Sequence, residues 1–289
     1  METSELLKKV RQIEIKTRGL SRNIFAGQYH SAFKGRGMAF SEVREYEFGD
    51  DIRDIDWNVT ARYTKPYIKV FEEERELTVM LLIDVSGSRD FGSVHVMKKE
   101  VITEIAATLA FSAIQNNDKI GVIFFSDKIE KFIPPKKGKK HILYIIRELI
   151  DFKPEHTSTD ISQALKYLTN VLKKRCTSFL ISDFIDTGDY FNALTIANKK
   201  HDIVAIQVYD QREEELSDSG LIKIKDAETG GERWIDTSSV KVREIYKHWW
   251  DTRQNKMNEA FKKGKVDAVS VSTAEDYVKA LISLFNKRN

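Results

Sequence analysis

Four runs of near-continuous aliphatic and β-branched residues, separated by stretches with helical spacing, constrain the fold of this 289-residue chain more than any other feature. They read Leu77–Asp84 (LTVMLLID), Lys119–Ser126 (KIGVIFFS), Thr177–Asp183 (TSFLISD) and Asp202–Tyr209 (DIVAIQVY). A strand that is apolar on both faces must be covered on both faces, and parallel strands joined by helices meet that demand. Between the runs, three- and four-residue apolar spacing predicts helices from about Val94 to Gln115, His141 to Ile150, Asp160 to Lys174 and Tyr190 to Lys200. Lys128 to Ile133 reads as an edge strand. Right-handed crossovers between such units give an α/β fold with a doubly wound, mostly parallel sheet.

The flanks divide the chain into three stretches. Residues 1–76 begin with a helix carrying Leu6, Leu7, Val10 and Ile13, pass through a Gly-rich segment at Gly35–Gly37, and end in an acidic, aromatic stretch expected to pack beside the sheet. Residues 77–210 hold the alternating pattern. Residues 211–289 open with a polar stretch, Gln211 to Gly220, to which the sequence assigns no role. A hairpin follows (Leu221 to Lys225, a turn at Glu228 to Gly231, Arg233 to Ile235), then a long amphipathic helix from Ser239 to Lys263, a short strand from Ala268 to Val271 and a closing helix from Ala274 to Asn286. These last elements are expected to complete the same globule.

Composition excludes several function classes. With 47 Lys plus Arg against 44 Asp plus Glu, the net charge of +3 gives no field that argues for nucleic acid. The local balance is sharper: 8 basic and 3 acidic residues from Met1 to Phe40 face 6 basic and 11 acidic from Ser41 to Glu76, an intramolecular match. A single cysteine, Cys176, rules out an internal disulfide framework and a thiolate zinc site. No apolar run approaches the roughly 20 residues of a membrane helix, and the first 20 residues carry five basic side chains, unlike a signal peptide. A cytoplasmic location is the expectation.

In an open parallel sheet, ligands bind outside the carboxyl ends of the strands. There the chain places Asp84-Val85-Ser86-Gly87-Ser88 after one strand, Ser182-Asp183 at the end of another, and Thr157, Ser158, Thr159 and Asp160 before a helix. These are hard oxygen donors, with no cysteine and no paired histidine among them, so they suit Mg²⁺ (or Mn²⁺ or Ca²⁺) rather than zinc. Hydroxyl ligands leave the cation's charge largely uncompensated, so that it attracts an external carboxylate.

This Asp-x-Ser-x-Ser, with a downstream Thr and a strand-terminal Asp, resembles the metal-ion-dependent adhesion site of von Willebrand factor type A domains, which are Rossmann-like. The matching positions are Asp84, Ser86, Ser88, Thr159 and Asp183. The resemblance implies that the serines and the threonine approach the ion, that the aspartates act largely through water, and that a partner's acid completes the coordination. Thr157 competes with Thr159 from the same loop; the resemblance favours Thr159. Further upstream, Gly49-Asp50-Asp51-Ile52-Arg53-Asp54-Ile55-Asp56-Trp57, Thr60-Ala61-Arg62, Lys69 to Arg75, Gly35-Arg36-Gly37 and Arg44-Glu45-Tyr46 are similar to a bacterial family of uncharacterised proteins. That family couples such a segment to a von Willebrand A-like domain and is typically encoded beside MoxR-type AAA+ ATPases. The similarity spans roughly residues 17–210, and many of these relatives carry membrane segments before it.

Plainer readings stand beside these. Asp84 and Asp183 are also what polar strand ends look like, and Ser86 and Asp160 also suit helix caps. The run Asp50 to Asp56 fails as an EF-hand loop begun at Asp54, because Val59 and Lys65 stand where Gly and Glu are needed. It is read instead as a brace pairing with Arg44, Arg53, Arg62 and Arg75, with Trp57 packed as an anchor, ahead of a partner surface. Lys136, Lys137, Lys139 and Lys140 read as a solvated helix start rather than a phosphate or protein contact. Cys176 reads as a small buried hydrophobe. His156 is the one histidine near the proposed site, and of Trp249 and Trp250 one is expected in the core and one on a contact surface.

The leading expectation is therefore a non-enzymatic, metal-dependent protein-binding module acting as adaptor or substrate-presenting partner of a MoxR-type AAA+ ATPase. No Gly-x-Ser-x-Gly elbow, Walker A sequence, post-strand Gly-x-Gly-x-x-Gly or poised Cys–His pair is present. A Mg²⁺-dependent phosphoryl-transfer or hydrolytic enzyme is the alternative, although a haloacid-dehalogenase-like phosphatase would need Asp where Ser86 stands. A scaffold without metal is the third reading.

Overall fold

The apolar runs become the inner strands of a six-stranded sheet. The structure, a computed structural model, describes residues 3–20, 39–63, 65–72, 77–92, 96–186, 188–228 and 230–288. Helix α1 (Thr3–Leu20) is followed by strand β1 (Ala39–Glu45), the single-turn α2 (Trp57–Thr60) and β2 (Tyr67–Glu72). Then come β3 (Thr78–Asp84), α3 (Lys98–Gln115), β4 (Lys119–Phe125), β5 (Ile129–Lys136), α4 (Lys139–Asp151), α5 (Ile161–Val171), β6 (Thr177–Ser182), α6 (Phe191–Lys200) and β7 (Asp202–Tyr209). The chain ends with the short α7 (Gln211–Glu214), β8 (Leu221–Lys225), β9 (Glu232–Asp236), α8 (Val240–Gly264), β10 (Asp267–Ser272) and α9 (Tyr277–Arg288). Contacts divide the chain into two units, one of α1 with everything from Thr78 onward, the other between Lys34 and Leu77.

In the larger unit the strand order is β10-β7-β6-β3-β4-β5, parallel throughout except for β5 against β4. The register sets Asp84 beside Phe125 and Ser182 beside Gln207, so the carboxyl ends of the central strands share one edge. From β3 the chain moves first to β4 on one side and later to β6 on the other. The switch point thus lies between β3 and β6, where a crevice is expected.

Both faces of the sheet are buried, as the unbroken apolar runs require. Met80, Leu82, Ile123, Phe125 and Leu180 join one core with Ile161, Leu165 and Leu168 of α5, Leu194 of α6, and Met257 and Phe261 of α8. By alternation, Val79, Leu81 and Ile83, all without solvent exposure, serve the opposite face. There α3 is buried nearly all round, from Val101 to Ala113. Phe179 meets Phe285 of α9 edge-on, with centroids 6.5 Å apart. Helix α1 packs against α3 and α4, tied by Lys16–Glu104 at 2.6 Å and Lys139–Glu14 at 2.5 Å. Lys139, expected in a solvated helix start, thereby gains an acidic partner.

Several boundaries differ from expectation by a few residues, and two of them have a clear local reason. Helix α5 starts one residue later than predicted because the Asp160 carboxylate caps it, accepting from Gln163 N at 2.9 Å. Strand β5 runs on through Pro134 and Pro135 to Lys136, which an edge strand tolerates. The polar stretch after β7 also acquires structure: Asp210 and Glu213 form a reciprocal capping box that starts α7.

In the smaller unit β1 and β2 pair antiparallel. Arg44 grips Asp50 through two hydrogen bonds of 2.8 and 3.0 Å, Arg53 pairs with Asp51 at 2.6 Å, and Asp56 caps α2. Most of the acidic run is thus spent on a local brace. Trp57 is not the expected anchor: it is 69% exposed, because it opens a one-turn helix with no buried residue. The segments Gly35–Gly37 and Glu73–Arg75 lie outside the described residues.

Candidate functional site

Strand β3 delivers Asp84 to the switch point, and the single turn of 3₁₀ helix that follows it, Gly87–Asp90, sets the two serines. Ser86 precedes that turn without capping it; its hydroxyl instead lies 3.2 Å from that of Ser88. Asp84 accepts from Ser86 N at 3.0 Å through Oδ1 and from the Ser182 hydroxyl at 2.6 Å through Oδ2. The Thr159 hydroxyl approaches the same Oδ2 at 3.5 Å. Thr157 turns away and donates to the carbonyl of Glu228 at 2.6 Å. All five residues singled out in the sequence are buried, and Asp84, Ser86, Ser88, Thr159 and Asp183 are joined by this network, Asp183 through a hydrogen bond from Ser88.

Burial, and after it the charge of Asp183, raises the Asp84 carboxyl above the usual carboxylate range, against the donors from Ser182 and Ser86. Burial also opposes ionisation of Asp183, but the Lys98 ammonium and the donors Ser88 and Ile185 N outweigh it and hold Asp183 low. Lys98, the first residue of α3, is 1% exposed; its Nζ lies 2.8 Å from Asp183 Oδ2 and 2.6 Å from Glu213 Oε1 of α7. Neither Lys98 nor Glu213 stood out in the sequence. A lysine at the head of an apolar helix reads as a surface residue, and only the Asp210-x-x-Glu213 spacing signalled α7.

Two further elements close the site. Arg253 of α8 donates to the Asp183 carbonyl at 3.0 Å, its guanidinium lying 5.4 Å from the Trp249 ring and 5.5 Å from that of Trp250. Trp250 is core, as expected of one of the pair, and Trp249 is 46% exposed. From the β8–β9 hairpin, Glu228 accepts a hydrogen bond from Thr159, and burial together with the charges of Asp183 and Asp84 pushes its carboxyl up to about 7. Phe184, just past the site, holds φ at 56° and donates its N–H to the Ser182 hydroxyl at 2.9 Å.

The other candidates serve structure. His156 pairs with Asp127 at 3.4 Å. Burial pushes the Cys176 thiol up to about 12, and its sulfur lies 3.3 Å from His201 Nδ1, so it has no thiolate character.

The donor chemistry fits a hard divalent cation. Ser86, Ser88 and Thr159 offer buried hydroxyls beside two carboxylates, and among the described residues no three His, Cys, Asp or Glu side chains gather as a metal-holding group. An ion here would depend on hydroxyls, and Glu228 Oε1 stands buried without a hydrogen-bond partner. No described helix is long and apolar enough to cross a membrane.

Comparison with known proteins adds a family and a fold. The family described as "Protein of unknown function DUF58" matches residues 42–256. The uncharacterized protein Rv1480 of Mycobacterium tuberculosis is 28% identical over 232 residues, 80% of this chain and 73% of its own length. The uncharacterized protein YeaD of Bacillus subtilis is 26% identical over 122 residues, covering 42% of this chain and 27% of YeaD. Among solved structures, an aerotolerance-related membrane protein from Bacteroides fragilis is similar in fold, with a TM-score of 0.51 at 16% identity over 73% of this chain and 99% of that one.

Proposed function

The chain belongs to the DUF58 family, and from that footing we propose that it is a non-enzymatic protein-binding module that grips a partner's carboxylate through Mg²⁺ at the switch point. The observation that carries this reading is the convergence of the Ser86, Ser88 and Thr159 hydroxyls around Asp84 on a rigid sheet edge. Ser86, Ser88 and Thr159 would hold the ion, with Asp84 and Asp183 behind them. When bound, the ion supplies an incompletely neutralised positive charge to which an Asp or Glu of another protein adds.

The chain's own residues prepare for that event. Ser182 and the Ser86 N–H fix the Asp84 carboxylate in one orientation. Lys98 neutralises Asp183 and holds α3 and α7 against it. With both Asp84 oxygens committed in this way, the residue is poorly placed as a nucleophile, which favours binding over phosphoryl transfer. The sequence resemblance to proteins encoded beside MoxR-type AAA+ ATPases supports such an ATPase, or its client, as the partner.

Affinity capture from the native host tests the reading, comparing wild type in Mg²⁺, wild type in EDTA, and an Asp84→Ala/Ser86→Ala variant of confirmed fold. An AAA+ ATPase retained only by metal-loaded wild type is the expected result. The same proteins on all three baits would remove the metal-bridged mechanism, and phosphoester turnover dependent on Asp84 would replace it with catalysis.

A further inference from the structure

The β8–β9 hairpin closes its turn against the carboxyl edge of the sheet. Gly87, between the two serines, lies so near the turn that a Cβ there would sit 2.3 Å from the Ala227 carbonyl oxygen. The Thr157 hydroxyl clasps the neighbouring Glu228 carbonyl at 2.6 Å, and Glu228 N is itself held by Asp226 Oδ1 at 2.9 Å. So anchored, Glu228 turns its carboxylate inward: Thr159 donates to it, the charges of Asp84 and Asp183 act on it, and its Oε1 is shut off from solvent without a donor.

An acid brought against the Thr159 hydroxyl and into the field of two like charges, with one oxygen unpartnered, is an arrangement that a cation would complete. We propose that Glu228 is the chain's own carboxylate ligand for the cation, delivered by the hairpin turn to the position a partner's acid would take. The inference rests on the metal reading above and adds to it the kind of partner the site accepts: a Glu or Asp presented at the tip of a tight turn, which must displace the hairpin to bind. Ser86, Ser88 and Thr159 then serve the resident and the incoming carboxylate alike. Displacement is feasible because, among the described residues, the hairpin's strands pair with no strand but each other.

The test uses the full chain and Mn²⁺ alone as probe. Affinity is measured by calorimetry and hairpin order by amide hydrogen exchange over residues 221–236, in wild type, Glu228→Gln and Asp84→Ala/Ser86→Ala. Wild type should bind Mn²⁺ with slower hairpin exchange, whereas Glu228→Gln should bind about tenfold more weakly with no such protection. If wild type and Glu228→Gln bind Mn²⁺ alike and hairpin exchange ignores the ion, Glu228 is not a ligand, although the metal site stands. If wild type binds no Mn²⁺, both inferences fall together. The wild-type exchange measurement decides the matter even if a variant does not fold.

Discussion

Lys98 Nζ stands 2.8 Å from Asp183 Oδ2, with the lysine side chain 1% and the aspartate side chain 4% exposed. A charge pair so withdrawn from water is held by geometry, and loss of one member leaves the other unpaired. Lys98→Met keeps the stem and deletes the ammonium. It is expected to cost about 3–5 kcal/mol in urea unfolding. A loss under about 1 kcal/mol, the range of solvent-exposed pairs, would contradict the burial seen here.

Ser182 donates to Asp84 Oδ2 and accepts from Phe184 N, so one hydroxyl serves the site and a left-handed residue together. Ser182→Ala should destabilise by about 1–3 kcal/mol, since it strands a buried N–H. Ser182→Thr, which keeps the hydroxyl, should recover most of that loss in the same denaturation assay.

Gly87 has an ordinary φ, so its need for a hydrogen is steric rather than conformational. Gly87→Ala drives a methyl into the Ala227 carbonyl, and the turn must give way at about 1–3 kcal/mol. Amide exchange should quicken from Asp226 to Gly231 while β3 and β4 keep full protection. Equal protection of the turn in both proteins would show that the close approach is not maintained in solution.

His201 is wholly buried, its Nδ1 accepts from Cys176 N at 3.3 Å, and burial pushes its pKa down to about 4. The folded protein therefore keeps the ring neutral while the unfolded chain takes up a proton near pH 6.5. The stability this provides is intact above about 6.5 and is lost as pH falls toward 4, at no more than about 1.4 kcal/mol per pH unit. Subtracting the profile of His201→Leu from that of wild type should isolate this slope. Parallel profiles would mean that His201 titrates alike in both states.

The strands were legible because β3, β4, β6 and β7 are buried on both faces, and such burial writes itself as unbroken apolar sequence. Asp84, Ser86, Ser88 and Asp183 were legible because they follow directly on strand ends, whose direction is fixed by the parallel pattern. Lys98, Glu213 and Glu228 were not. Each reaches the site from an element whose approach depends on packing: Lys98 is 85 residues from Asp183 in sequence, and Glu213 is 115 from Lys98. Sequence spacing carries no record of such encounters. Trp57 failed in the opposite sense, since an aromatic residue suggests an anchor but a one-turn helix gave it nothing to pack on.

Strand β5 ends the sheet with Pro134 and Pro135, and its pairing with β4 is broken by two register shifts. Two consecutive residues there have no N–H to offer, and since successive N–H groups point to opposite sides of a strand, one of them leaves a gap in the ladder that a foreign strand would meet along this edge. Recognition by β-augmentation is thereby discouraged on that border. The same break in the ladder disfavours edge-to-edge pairing of two copies along β5.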